Sequence, residues 1–281
     1  MGNSEKIKKY FRTRTVCDWI VLTLHFLLFV YLVGSIIYFA VKGRGRDCGV
    51  SAAYLLVIPV YFLFERFVRV KIPLFTAAVF ILFIAWCSLG ASFNFYTVIP
   101  FLDDILHGVW GFVFTVIGFT LIKAATGEPE TKKSFVIYAV FGFAFCCMTS
   151  VLWEIFEFST DMLMPSVDQQ EDTLVSCIHS FILHPEYDHL HTEIIEGIAY
   201  TQLYDADGNL LYTINGGYLD LGIIDTMCDL ICSSVVSFAV SLALIIEKCA
   251  GKKGIYKLII PRLVPRNKEL PNNEELSFNC N

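Results

Sequence analysis

The sequence has no Lys or Arg from Pro73 to Ile122, and none from Ser134 to Glu247. Only 17% of its 281 residues are charged, against 56% hydrophobic, and the mean hydropathy is +0.60. A soluble domain of this length is not so apolar. Such long stretches without cations remove the usual means of gripping phosphate, so nucleic acid is excluded as a partner. No phosphate-cradling glycine loop and no dinucleotide fingerprint is present. No Ser or Cys nucleophile stands beside an obvious base, which disfavours covalent catalysis. The ten Cys lack metal-type spacing. Cys228 and Cys232 fall one helical turn apart, too far for an unstrained disulfide. Cys146 and Cys147 lie mid-span and read as small apolar groups. Cys48 with Cys177 is the pairing left open. No internal repeat is visible.

What the chain has instead is six apolar windows of membrane-spanning length. They are Cys17–Val41, Val50–Val68, Leu74–Thr97, Ile105–Ala124, Ser134–Phe158 and Leu221–Ile246. The second is the weakest, because Glu65-Arg66 interrupts it. The expectation is an all-α polytopic membrane protein of about six helices. Residues 1–160 and 221–248 form the transmembrane domain. Residues 161–220 form an acidic insertion, and 249–281 a basic tail. Alternate segments hold 18 of the 21 basic residues, leaving Lys42, Arg44 and Arg46 for the other side. By the positive-inside rule both termini are cytoplasmic and the insertion is extracytoplasmic, which predicts a multi-pass protein of the plasma (inner) membrane.

From Asp161 to Asp220 there are 11 acidic residues, no Lys or Arg, and four of the six His. Such a surface attracts cations. Thr173–Leu183 reads as a short interfacial helix. Ile198–Tyr204 and Leu210–Ile214, around Asp205-Ala206-Asp207-Gly208-Asn209, read as a β-hairpin. His184, His189 and His191, with Glu186 and Asp188, have metal-ligand residue types but no recognised spacing. Asp18 is placed to cap the first helix, and His25 reads as an interior His. Trp86, Trp110 and Trp153 read as lipid-facing belts and packing.

Three polar islands carry the chemistry: Asp103-Asp104-x-x-His107, Glu154-x-x-Glu157 and Asp225-Thr226-x-x-Asp229. Ionisable groups at the ends of apolar spans are costly and seldom idle. Helical spacing puts Asp103 with His107, Glu154 with Glu157, and Asp225 with Asp229 on shared faces. The expected topology puts all three islands at the extracytoplasmic ends of spans four to six. If those helices are neighbours, the islands meet in one rim pocket. Asp103, Asp104 and Asp225 suit helix N-termini, where carboxylates cap free N–H groups. Glu154 and Glu157 are placed in the last turns of span five, where the dipole disfavours them. His107, Glu154, Glu157 and Asp229 are therefore the candidate catalytic residues. Asp103, His107, Glu154, Glu157, Asp225 and Asp229 are the candidate metal ligands. Protonation, solvation or a bound cation would each settle the charge. A divalent metal ion is the cofactor candidate.

The same islands, as Asp103-x-x-x-His107-x-x-x-Gly111, Glu154-x-x-Glu157-Phe158 and Asp225-Thr226-x-x-Asp229-Leu230, resemble the YjdF-like family of bacterial inner-membrane proteins. They are more distantly similar to the VanZ-like family. The resemblance covers about residues 101–241. It departs at Gly222, where the YjdF-like pattern has an acidic residue, and in the longer insertion. It implies a small polytopic protein and little chemistry. Three functions stay open. One is a metal-assisted enzyme acting on a lipid or lipid-linked headgroup at the outer leaflet. The others are a cation or proton-coupled transporter and a non-catalytic binding or scaffold protein. Membrane lipids are the expected partners. The inner halves of spans four to six (Phe112–Leu121, Phe135–Met148, Val235–Ile246) look apolar, which speaks against a through-path.

Overall fold

The computed structural model describes residues 15–99, 101–163, 173–185 and 190–264. Along the chain run helix α1 (Val16–Val41), α2 (Gly45–Val68), strand β1 (Val70–Lys71), α3 (Leu74–Phe93), the one-turn α4 (Phe95–Val98), α5 (Leu102–Thr126) and α6 (Lys132–Leu163). Six short strands follow: β2 (Leu174–Val175), β3 (Ile178–Ser180), β4 (Glu193–Ile195), β5 (Tyr200–Tyr204), β6 (Leu210–Asn215) and β7 (Tyr218–Leu219). Then come α7 (Ile223–Cys249), α8 (Gly254–Ile259) and β8 (Arg262–Leu263). Helices α1, α2, α3, α5, α6 and α7 are long and apolar enough to cross a membrane, matching the six windows. The chain divides into two compact units, residues 1–150 with 231–281, and residues 151–230.

Local chemistry sets the helix ends in the first unit. Thr15 caps α1, and Asp18 closes a capping box by accepting from the Thr15 N–H at 2.8 Å. Asp18 also takes Lys71 Nζ at 2.6 Å, and Lys71 reaches Glu65 at 3.6 Å. Glu65, which weakened the second window, is buried and accepts the Ile72 N–H at 2.9 Å. The span tolerates the carboxylate because it has both a cation and a backbone donor. Span three stops at Phe93 rather than Thr97. Asn94 takes the left-handed conformation (φ 64°), which ends the helix and starts α4.

Two apolar clusters form the interior of this unit. Leu28 and Leu32 of α1 pack with Ile81, Ile84 and Cys87 of α3 and Leu106 of α5. Val116 and Phe119 of α5 pack with Phe135 and Ala139 of α6, Leu244 of α7 and Ile259 of α8. The outward faces are apolar as well, with Trp19, Phe26, Val60, Phe67 and Phe238 exposed. That is the pattern of helices solvated by acyl chains. Glycines bring the helices close. A Cβ on Gly111 would lie 2.3 Å from the Ser233 carbonyl oxygen, and one on Gly142 would lie 2.7 Å from that of Thr115.

The expected apolar inner halves carry more polarity than their sequences suggest. Thr115, Thr120, Ser237 and Ser241 are buried there. Thr115 and Ser241 donate to the carbonyls of Gly111 (2.6 Å) and Ala139 (3.1 Å), and Thr115 also meets Ser237. Hydroxyls hidden against a helix backbone keep their hydrogen bonds at little cost, so composition alone does not reveal them.

The first part of the tail is folded. β8 pairs antiparallel with β1, with Val70 opposite Leu263 and Lys71 opposite Arg262. Thr76 donates to the Ile259 carbonyl at 2.8 Å. Lys123, counted as a loop cation, is buried and contacts Glu128 (2.8 Å), the Tyr256 hydroxyl (2.8 Å) and the Pro261 carbonyl (2.9 Å). These contacts gather the loop after α2, the loop after α5 and the start of the tail at one end of this unit. His25 is an interior His, as expected. Its Nδ1 donates to the Val21 carbonyl at 2.9 Å, and its ring packs on Tyr61 and Phe62.

The second unit holds the end of α6, strands β2–β7 and the start of α7. The expected hairpin is present. β5 pairs with β6 around a turn in which the Asp205 carboxylate accepts the N–H groups of Asp207 (3.0 Å) and Asn209 (2.7 Å). The expected interfacial helix over Thr173–Leu183 is not. β2 pairs with β7 and β3 with β4 instead. The segment is rich in β-branched and Ser/Thr residues, and its long-range strand partners are invisible to local periodicity. His184 and His191 stack with ring centroids 5.3 Å apart. Glu186, Asp188 and His189 lie outside the described residues.

Candidate functional site

In the second unit, α6 presents Glu154 and Glu157, three residues apart, and α7 presents Thr226 and Asp229 at the same spacing. Ligand oxygens of Glu154, Glu157 and Asp229 all lie within 4.8 Å of one another. Glu154 is 7% exposed and Asp229 2%, while Glu157 is half-buried. Neither Glu154 oxygen has a hydrogen-bond partner of normal length among the described residues, although the Thr226 hydroxyl faces its carboxyl. The unit's sequence, residues 151–230, holds 15 Asp and Glu and no Lys or Arg. Three carboxylates in one cluster, in a unit whose sequence has no Lys or Arg, repel one another and lose hydration together.

The cluster has a built support. The Trp153 indole N–H donates to Glu157 Oε1 at 2.7 Å. Trp153 was expected in a lipid belt. It instead orients a carboxylate one turn along its own helix, and its spacing from Glu157 was the signal that could have revealed this. The dipole reading of Glu154 and Glu157 is also revised. α6 continues to Leu163, so Glu157 lies six and Glu154 nine residues before that point, inward of the last turn where the dipole acts. Their main cost is burial and mutual repulsion.

Asp225 lies in the first turn of α7, as expected, and is not one of the trio. Asp220 caps the start of that helix, accepting the N–H groups of Ile224 (2.6 Å) and Thr173 (2.8 Å). One carboxylate thus stitches the start of α7 to the entry of β2.

In the first unit, Asp103 and His107 share a face of α5, with His107 Nε2 3.7 Å from Asp103 Oδ2. His107 is buried and Asp103 partly exposed. Asp103 and Asp104 lie in the first turn of α5, as expected, although the N-cap position itself is Phe101 in the left-handed conformation (φ 61°), with no side-chain cap. Asp104 instead accepts the Cys232 thiol at 3.6 Å. Cys146 is buried, as a small packing group would be, but its thiol meets polar atoms, the Ser150 hydroxyl and the Ser233 carbonyl. Cys48 and Cys177 are both thiols rather than disulfide sulfurs, so the open Cys48–Cys177 pairing is not formed.

Comparison with known proteins places the chain. The family described as "Predicted membrane protein (DUF2238)" matches residues 23–177. That match takes in α1 to α6, including the Asp103–His107 and Glu154–Glu157 islands, and so begins well before the range of about 101–241 that the islands alone suggested. The first three spans carry only apolar patterning, which has no local signature to recognise. An uncharacterized protein of Thermotoga maritima is 31% identical over 97 residues, covering 34% of this chain and 49% of that protein. The chain thus spans about half the length of this curated relative. No solved structure matches. Nothing in these comparisons supports the more distant VanZ-like resemblance. The chain belongs to the DUF2238 family of predicted membrane proteins, which is the YjdF family, and is a polytopic membrane protein.

Proposed function

We propose that Glu154, Glu157 and Asp229 bind a divalent cation, and that the protein is a metal-assisted enzyme acting on a lipid or lipid-linked headgroup. The observation that carries this reading is the Glu154 carboxylate, buried with neither oxygen in a hydrogen bond of normal length among the described residues and placed within 4.8 Å of two further carboxylates. A bound cation would neutralise charge that the unit's own residues do not. An all-oxygen donor set suits Mg²⁺, Mn²⁺ or Ca²⁺ better than Cu⁺ or a structural zinc. Paired carboxylates on facing helices are a recurrent way to build such a centre. A bound cation polarises a phosphoryl or carbonyl oxygen or lowers the pKa of a water molecule. Asp103 and His107 are proposed separately as an acid–base dyad on α5.

The proposed setting is the plasma (inner) membrane, with both termini cytoplasmic and residues 161–220 outside. The distribution of Lys and Arg supports it. So does the gathering of the loops after α2 and α5 and the start of the tail at one end of the first unit. The test is purified protein in liposomes of mixed lipids with Mn²⁺, the headgroups being followed by mass spectrometry. Turnover that disappears in Glu157→Gln and His107→Ala supports the enzyme. An unchanged lipid pool, with metal bound, removes catalysis and leaves binding.

A second reading, a binding or scaffold protein, draws on the hairpin, where Tyr200, Leu203, Tyr204, Leu210, Leu211 and Tyr212 are exposed. Such an apolar surface suits a docked partner. Pull-down partners that persist when these residues are changed to Ser would remove it. Transport is the least supported, since the α5 and α7 backbones meet at Gly111 and leave no room there for a hydrated ion.

A further inference from the structure

On the first unit, α3, α5 and α7 enclose an open cavity of about 640 Å³. Phe75, Gly108, Phe112 and Val235 are among its apolar walls, and Asp104 is the one charged group lining it. Asp104 lies in the first turn of α5, and Phe112 is eight residues further in, about 12 Å along the helix. The cavity therefore runs from a carboxylate at a span's end into its apolar length. The absence of side-chain atoms at Gly108 helps to form the hollow, since a Cβ there would already meet Val236 at 3.4 Å. Among the described residues the Asp104 carboxylate accepts only the Cys232 thiol, a weak donor. No Lys or Arg from Pro73 to Ile122 or from Ser134 to Glu247 is available to these walls.

We propose that this groove holds one acyl chain of a membrane lipid whose headgroup carries an ammonium group, with the ammonium meeting Asp104 and the chain lying along Gly108 and Phe112. Charge complementarity selects the headgroup. A carboxylate at the rim of a hydrocarbon groove favours a cationic donor, disfavours an anionic headgroup, and is poorly matched by a quaternary choline that cannot donate. Spanning helices put acyl chains at the mouth of the groove, and its walls are of the kind that bury them. The inference is independent of the carboxylate trio, which lies in the other unit.

The test is native mass spectrometry of the full chain, released from detergent with phosphatidylethanolamine, phosphatidylcholine or phosphatidylglycerol added at equal concentration. The wild type should retain the ethanolamine lipid about fivefold more than either other lipid, the size expected of one partly exposed ion pair. Asp104→Asn should equalise the three. Val235→Trp, at an exposed wall position, should fill the groove and abolish retention of all three without disturbing buried packing. Equal retention by the wild type overturns the proposal. So does a preference that survives Asp104→Asn, retention that survives Val235→Trp, or a dimer that forms at the expense of bound lipid.

Discussion

The Trp153 indole donates to Glu157 one turn along the same helix, at 2.7 Å. A hydrogen bond of this kind holds a carboxylate in one rotamer, which is what an outer partner of a metal ligand does. Trp153→Phe keeps the ring and removes the donor. It should weaken divalent cation binding about tenfold, the lower end of what losing such a partner costs. Titration calorimetry with Mn²⁺ measures it, and unchanged affinity would separate Trp153 from the site.

Gly111 faces the Ser233 carbonyl so closely that a Cβ would sit 2.3 Å away. Backbone on both sides leaves little to yield. Gly111→Ala should lower stability in detergent by about 1–3 kcal/mol, the usual range for overpacking. Gly127→Ala also introduces a Cβ, but into open space, and carries only the strain of its positive φ of 96°. The comparison of their melting temperatures distinguishes helix contact from backbone strain.

The Asp220 carboxylate ties Ile224 and Thr173 together. Slight burial pushes its pKa up, but the N–H groups of Ile224, Thr173 and Gly222 outweigh that and hold it below the ordinary value of 3.8. A depressed carboxylate contributes stability that is complete above its unfolded-state pKa and lost as pH falls through the folded-state one. Asp220→Ala should cost about 1 kcal/mol at neutral pH, as loss of a helix cap does. The gap between wild type and variant should close between about pH 5 and pH 2. A melting-temperature difference that is constant over that range would contradict the assignment.

Lys71 bridges Asp18 and Glu65. Burial alone would lower its pKa, but Glu65 and Asp18 outweigh it and hold it above 10.5. A raised lysine contributes stability that is complete below its unfolded-state pKa and lost as pH rises through the folded-state one. Its side chain is 39% exposed, so solvent screens the pair. Lys71→Met should therefore cost about 1–2 kcal/mol, less than a fully buried pair would. Denaturation in detergent at pH 7 reads that loss, and at pH above about 11 wild type and variant should converge.

Apolar length and the spacing of charges made the spans, the hairpin and the acidic islands legible in the sequence. Those signals are local. Glu154 and Glu157 were legible because a carboxylate inside an apolar helix has no bland explanation. What escaped was set by partners distant in sequence. Strand β2 needs β7 to exist, β1 needs β8, and Asp220 becomes a cap only when Thr173 and Ile224 meet it. Trp153 shows another limit. An aromatic near a membrane boundary has a ready role as an anchor, and that role hid a hydrogen bond to its i+4 neighbour. Of the three islands, Glu154, Glu157 and Asp229 meet within one unit, and Asp103 pairs with His107 in the other.

The central claim is a cation held by the trio. The direct measurement is metal content by plasma mass spectrometry of the detergent-purified chain after incubation with Mn²⁺ and desalting, wild type beside Glu154→Gln. Wild type should retain about one equivalent, and Glu154→Gln about a tenth of that or less, as expected when a ligand is removed from a small oxygen site. Equal retention by both, or none by a monodisperse wild type, would contradict it.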